Sequence, residues 1–274
     1  MIFTYDDFSA RLNEKLKNDQ EFYNELLVTI INNPARYVGL FRLSSAKTKL
    51  LQNVTQSREI KLGDFLEDII TEYISKLGYT NMEKSIPNPV TGTKLEPDQL
   101  FSKNNTIVMI EQKIRDDHDS TKRIGQYDNF EAKYRLLQLR YPERTIRAVM
   151  WFIDDTFTKN RSYYLSRAAS QSKEHLDIAI YYGSQLFSEL FHRPDVWEEI
   201  TDHLSRHKQE RSQELLAIPD LDTSEEFLIA LQELKRENPR LLGKLQSNTP
   251  IYIQLRNELF PSGVNFRRLN EEVL

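Results

Sequence analysis

Residues 106–114, Thr106-Ile107-Val108-Met109-Ile110-Glu111-Gln112-Lys113-Ile114, begin as a β-rich apolar run and end on alternating charge. A run this apolar suits a strand covered on both faces. Just before it, Ser102-Lys103-Asn104-Asn105 is a turn cluster, and residues 95–101 (Leu-Glu-Pro-Asp-Gln-Leu-Phe) supply the other arm of a predicted hairpin. After it comes a polar stretch, residues 115–123. A helix is then predicted over about residues 124–140 from the spacing of Tyr127, Phe130, Tyr134 and Leu137, closed by Pro142. Thr145 to Ile153 reads as a second buried strand. The order strand, helix, strand predicts a crossover in a mixed or parallel sheet. The fold class expected is therefore α/β, a central mixed β-sheet flanked by helices.

Working outward, residues 6–32 carry apolar positions at helical steps and stop at Asn32-Asn33-Pro34. A clearer helix is predicted to open at Gly63-Asp64. It carries Phe65, Leu66, Ile69, Ile70, Tyr73, Ile74 and Leu77 on one stripe and ends at Gly78. Pro87-Asn88-Pro89 and Thr91-Gly92 punctuate the chain ahead of the hairpin. Residues 160–192 predict a helix, a strand over 176–183, and the start of another helix over 184–191. Beyond Pro194 the text turns helical and acidic, with segments near 195–216, 223–236 and 250–258. The expected organisation is a core over residues 1–194, including the N-terminal helices, and a helical C-terminal subdomain over 195–274.

Composition excludes several chemistries. Cysteine is absent from the 274 residues, which removes disulfide frameworks, cysteine-ligated zinc and thiol nucleophiles. No glycine-rich phosphate loop and no Gly-x-Ser-x-Gly elbow occurs, disfavouring ATP-driven and serine-hydrolase mechanisms. The opening Met1-Ile2-Phe3-Thr4-Tyr5-Asp6-Asp7 lacks a signal-peptide layout, and no apolar run nears the roughly 18 residues of a membrane span, so a cytoplasmic protein is expected. The net charge of −4 is unevenly spread, at −2 over residues 1–102, +4 over 103–167 and −6 over 168–274. On that division the middle segment is the one suited to approach a phosphate backbone.

The hairpin brings Asp98 towards Glu111, and residues two apart on a strand share a face, so Glu111 and Lys113 point the same way. Two carboxylates, a backbone carbonyl and a substrate phosphate suffice for Mg²⁺, a hard cation that keeps several of its waters. Such an ion activates water and neutralises charge on a phosphate. An adjacent lysine can orient or help deprotonate that water. Glu67, on the helix beginning at Gly63, could join as a further ligand, directly or through water. The competing reading is structural: charges at the end of an apolar strand need partners, and an ion pair tying the sheet end supplies them. His118, among Asp116, Asp117 and Asp119, lacks the spaced ligands of a second metal site.

Pro97-Asp98 with Glu111-Gln112-Lys113, preceded by Gly63-Asp64-Phe65-Leu66-Glu67, resembles the PD-(D/E)xK nuclease superfamily, and within it the type II restriction endonucleases. The stretch from Arg115 to Arg123 with Gly125-Gln126 resembles what some of these enzymes carry after the active-site lysine. The resemblance covers about residues 60–155 and leaves 195–274 without a counterpart. It implies that Asp98 and Glu111 bind Mg²⁺, that Lys113 serves the attacking water and that Glu67 assists the metal. The implied activity is sequence-specific cleavage of double-stranded DNA by a homodimer with a cognate DNA methyltransferase, and no other cofactor. Lys122, Arg123 and Gln126 are candidates for contacts to the DNA phosphates, with a solvated loop and helix start as the alternative. A repair or recombination nuclease of the same superfamily, or a catalytically silent DNA-binding or interaction protein, are the other functions consistent with these residues.

Overall fold

The computed structural model describes all residues except 17–19, 88–91, 93, 173–176, 217–218 and 272–274. The punctuation at Asn88, Pro89 and Thr91, and Leu176 at the head of a predicted strand, lie outside the described residues. The strands are β1 (Thr80–Asn81), β2 (Ile86–Pro87), β3 (Lys94–Leu95), β4 (Gln99–Lys103), β5 (Thr106–Lys113), β6 (Thr145–Phe152) and β7 (Asp177–Tyr182). The helices are α1 (Tyr5–Leu16), α2 (Gln20–Asn32), α3 (Ala35–Val38), α4 (Ala46–Lys76), α5 (Ser120–Arg140), α6 (Arg161–Ser172), α7 (Pro194–Leu216), α8 (Glu225–Glu237), α9 (Pro239–Gln246), α10 (Pro250–Leu259) and α11 (Val264–Glu271).

The chain is α/β. A five-stranded mixed sheet runs in the order β1-β4-β5-β6-β7, with β2 and β3 forming a separate two-stranded ribbon. β4 and β5 are the arms of an antiparallel hairpin. Asn104 turns between them in the left-handed region at φ 53°, a conformation asparagine tolerates better than most side chains. β5, β6 and β7 are mutually parallel, which requires crossovers, and α5 and α6 provide them. All eight side chains of β5 except those of Thr106 and Lys113 are buried, as a central strand covered on both faces demands. On one face Ile107, Met109, Met150 and Phe152 pack against Tyr127, Phe130, Tyr134 and Leu137 of α5.

Several elements differ from expectation. The single predicted helix over 6–32 is two helices, α1 and α2. Gly63 lies inside the 31-residue α4 instead of opening it. An interior glycine costs only about 1 kcal/mol relative to alanine, and residues 46–62 are mostly good helix formers that carry the helix through it. The segment read as a helix start at 184–191 is a single π turn, Leu186–Leu190, ended by His192 at φ 54°, and the following helix starts afresh at Pro194. Between the predicted helical segments 223–236 and 250–258, Asn238 and Pro239 are the N-cap and first residue of a further helix, α9: the Asn238 side chain accepts from the Leu241 amide at 3.2 Å.

Contacts do not divide the chain at residue 194. One compact unit comprises Met1–Arg11 and Gly63–Lys208, the other Leu12–Leu62 and Gln209–Leu274. The second unit exists because Leu27, Ile30 and Ile31 of α2 share a core with Phe227, Leu228 and Leu231 of α8, some 200 positions away in sequence. Neither stripe announces its partner, so periodicity along the chain assigns the two to different domains.

Within the first unit, Glu199 of α7 fastens the start of the chain. Its carboxylate accepts from the Ile2 amide at 2.7 Å, the Phe3 amide at 2.7 Å and the Tyr73 hydroxyl at 3.0 Å. Burial alone would raise the pKa of this carboxyl, but these donors outweigh it and hold the pKa below the ordinary glutamate value. A depressed carboxylate stabilises the fold above its unfolded-state pKa, and that contribution disappears as pH falls through the folded-state value. Glu199→Gln is therefore expected to lose about 1–3 kcal/mol at neutral pH. It should also show a shallower loss of stability between neutral and acid pH, followed by thermal melts of both proteins across that range. Equal pH dependence in the two proteins would refute this account.

Candidate active site

The site is built at the carboxyl end of β5, where ligands bind in open sheets with parallel strands. β4 and β5 pair with Gln99 opposite Ile110, so the next step along the hairpin sets Asp98 opposite Glu111. Asp98 Oδ2 accepts from the Gln112 amide at 2.6 Å, which pins its carboxylate to the strand end. The Lys113 side chain then closes the group. Its Nζ donates to Glu111 Oε1 at 3.0 Å, to Asp98 Oδ2 at 3.2 Å and to the Gln112 carbonyl at 2.9 Å. One ammonium thus brings the two carboxylates to a single small volume. Gln99 and Gln112, whose side chains share the opposite face of the sheet, pair at 3.3 Å.

Burial by itself would depress the Lys113 pKa, but the Glu111 and Asp98 carboxylates beside it prevail and hold it above the ordinary lysine value. The group is therefore a fixed positive charge at neutral pH. A second lysine, absent from the sequence expectation, completes the site. Lys133 of α5 is buried and donates to Glu111 Oε2 at 2.7 Å. The two oxygens of Glu111 thus face two different ammonium groups. Its signal was present in the sequence: Lys133 stands three residues after Phe130 and four before Leu137, on the apolar stripe, where a charge needs a buried partner.

Glu67, on α4, accepts from Lys84 instead of reaching the shared ammonium. Burial is the main reason that its pKa is raised; the nearby Asp98 and Asp68 charges add to it and Lys84 opposes it. Its carboxylate therefore senses Asp98 electrostatically. Among the described residues no group of three or more His, Cys, Asp or Glu side chains is arranged to hold a metal ion. The donor set at the strand end is two hard carboxylates, Asp98 and Glu111, with the Gln112 carbonyl beside them. That set fits Mg²⁺ bound in its usual manner, by one or two carboxylates with waters and substrate phosphates filling the remainder, and does not fit an all-protein cage.

The loop that follows β5 is held by a buried carboxylate that its sequence neighbours disguise as part of a polar stretch. Asp116 is fully buried and accepts from the Asn160 amide at 2.9 Å, from Asn160 Nδ2 at 2.8 Å and from the Tyr182 hydroxyl at 2.9 Å. These bonds tie the strand-end loop to α6 and β7. Of the candidate phosphate contacts, Lys122 is exposed at the first turn of α5, whose N-cap is Asp119. Arg123 and Gln126 are occupied within the fold. Arg123 donates to Asn160 Oδ1 at 3.0 Å and lies over the Tyr163 ring at 4.6 Å, while Gln126 accepts from the Tyr164 hydroxyl at 3.1 Å.

A family model described as Type II restriction endonuclease, HinfI, matches residues 4–96 and 91–208, well over half of the chain and including every residue of this site. No curated protein and no solved structure matches.

Proposed function

Because the chain belongs to the HinfI family of type II restriction endonucleases, and is thus an endodeoxyribonuclease acting on DNA, we propose that it makes Mg²⁺-dependent, sequence-specific phosphodiester cuts in double-stranded DNA. The observation that carries this reading is the convergence of Asp98, Glu111 and Lys113 at the end of β5. Asp98 and Glu111 would hold the ion, and Glu67 would act through water, since its own oxygen is engaged by Lys84. When bound there, Mg²⁺ supplies a more acidic water and offsets negative charge on the phosphate. Lys113, a permanent cation, orients the attacking water and stabilises the charge that develops on the phosphoryl oxygens. Lys133 holds the Glu111 carboxylate from its second oxygen, so that its first remains directed at the reacting volume. The amide of Gln112 does the same for Asp98.

Lys122, an exposed cation in the first turn of α5, would be the contact to a flanking phosphate, while Arg123 and Gln126 act by fixing α5 against α6. A two-fold dimer would present one such site to each strand of a palindromic target, and a cognate methyltransferase would protect the host's own copies. Among the described residues no helix is long and apolar enough to cross a membrane. We place the work of the enzyme in the cytoplasm, with its substrate.

The test is digestion of a long natural DNA with Mg²⁺, and with a chelator in parallel. Discrete fragments that vanish with the chelator are expected. A smear would remove sequence specificity from the reading. No cleavage with either Mg²⁺ or Mn²⁺ would favour an ion-paired sheet end with no catalytic role.

A further inference from the structure

Division of the charge into three long segments conceals a feature of the second unit. Between Glu25 and Glu59 there is no acidic residue at all, while Arg36, Arg42, Lys47, Lys49 and Arg58 fall in the interval. Its centre is the connection between α3 and α4, residues 39–45. Both ends of this loop are anchored. Tyr37 and Val38 before it and Ala46 after it are buried, and the Tyr37 hydroxyl accepts from Asn53 Nδ2 at 2.6 Å. Gly39 makes the turn out of α3, because a Cβ there would collide with the Ala35 carbonyl, and the Arg42 amide closes the turn onto the Gly39 carbonyl at 2.9 Å. What the loop holds out is apolar. Leu40 is 90 % exposed, Phe41 95 %, and Leu43 is fully exposed. Three large apolar side chains at the tip of one short anchored loop form a patch of the kind that marks an interaction surface.

The surroundings of the patch select its partner. Arg36 and Arg42 are exposed and Lys49 half-buried, and the side chains of all three make no ion pair among the described residues. Lys47 is exposed and pairs loosely with Asp220 at 3.6 Å. A second copy docking two-fold through this patch would set the same cations against themselves, whereas a phosphate backbone is complementary to them. DNA-binding proteins combine these two features when they place an apolar side chain at a base step while arginines and lysines hold the flanking phosphates. Resting on the reading of DNA as substrate, we propose that the loop of residues 39–45 is a DNA-contacting wedge. Phe41 packs on base or sugar faces, and Arg36, Arg42 and Lys49 neutralise the adjoining phosphates.

The test uses the full chain and a fluorescent random-sequence duplex pool, with Mg²⁺ withheld so that binding is read without cleavage. Phe41→Ala is expected to weaken binding about tenfold, as removal of one aromatic ring from a base does. The slope of log affinity against log salt should stay unchanged. Arg36→Ala combined with Arg42→Ala should lower that slope by about 2, one unit for each phosphate no longer neutralised. Cleavage of a long natural DNA by the same proteins with Mg²⁺ restored is measured in parallel, so that failure of the cleavage mechanism is distinguished from failure of the wedge. Wild-type affinity in Phe41→Ala would overturn the proposal. So would a loss confined to self-association, read by sedimentation, with DNA binding intact, since the patch would then serve a second copy. A wild type that fails to bind the pool at all would overturn the wedge and the DNA reading together.

Discussion

Lys113→Ala is expected to lower the rate of Mg²⁺-dependent DNA cleavage by at least about 10³-fold while the protein stays folded, within the range spanned by loss of a positioned proton-transfer or charge-stabilising group. Lys113 Nζ touches both Asp98 and Glu111, at 3.2 and 3.0 Å. Without it the water loses its orienting group, the phosphoryl oxygens lose a cation, and the two carboxylates face one another with less compensation. Folding should survive because Glu111 keeps Lys133 and Asp98 keeps the Gln112 amide. Single-turnover cleavage of a duplex that the wild type cuts, together with a thermal melt, separates the two effects. Lys113→Arg should not restore full activity, because a planar fork cannot reproduce three donors converging from one nitrogen. Cleavage at the wild-type rate by the alanine variant would sink the mechanism.

The second large effect belongs to Lys133. This ammonium and the Glu111 carboxylate are each only 7 % exposed and 2.7 Å apart, so they are effectively out of water. Removing one partner of such a pair leaves a buried charge without compensation, at a cost of about 3–5 kcal/mol. Lys113 still reaches the other oxygen of Glu111, which places the expectation for Lys133→Met at about 3 kcal/mol, the lower end of that range. Denaturant unfolding measures it. Adding Glu111→Gln to the Lys133→Met background should recover part of the stability, because the orphan charge disappears, and should not recover cleavage. That opposition identifies Lys133 as a positioning residue acting through Glu111. Wild-type stability of Lys133→Met would show that the pair is not effectively desolvated.

Both effects centre on Glu111, and its passage from sequence to structure shows what each level of description contributes. The apolar run Ile107 to Ile110 is legible directly, because a strand covered on both faces has no other composition available to it. The turn at Asn104 is legible for a similar reason: only a few residue types accept its backbone conformation. Together they place Asp98 near Glu111 from the sequence alone. The role of Glu67 is harder to see, because its engagement depends on Lys84, which sits beyond the end of α4 on a segment with little periodicity.

Lys133, Asp116 and the make-up of the second unit were decided elsewhere. Each depends on a partner distant along the chain: Glu111 for Lys133, Asn160 and Tyr182 for Asp116, and α8 for the stripe of α2. Local periodicity reports which face of an element is buried, since that face must avoid water, and it carries no information on what covers it. The amino-acid sequence by itself determined the mixed sheet, its hairpin and the neighbourhood of Asp98, Glu111 and Lys113, because strand alternation and turn chemistry act over a few residues. Only tertiary packing decided that Glu111 is clamped by two lysines and that residues 12–62 join 209–274, because the burial that drives those choices is shared between segments that the chain keeps far apart.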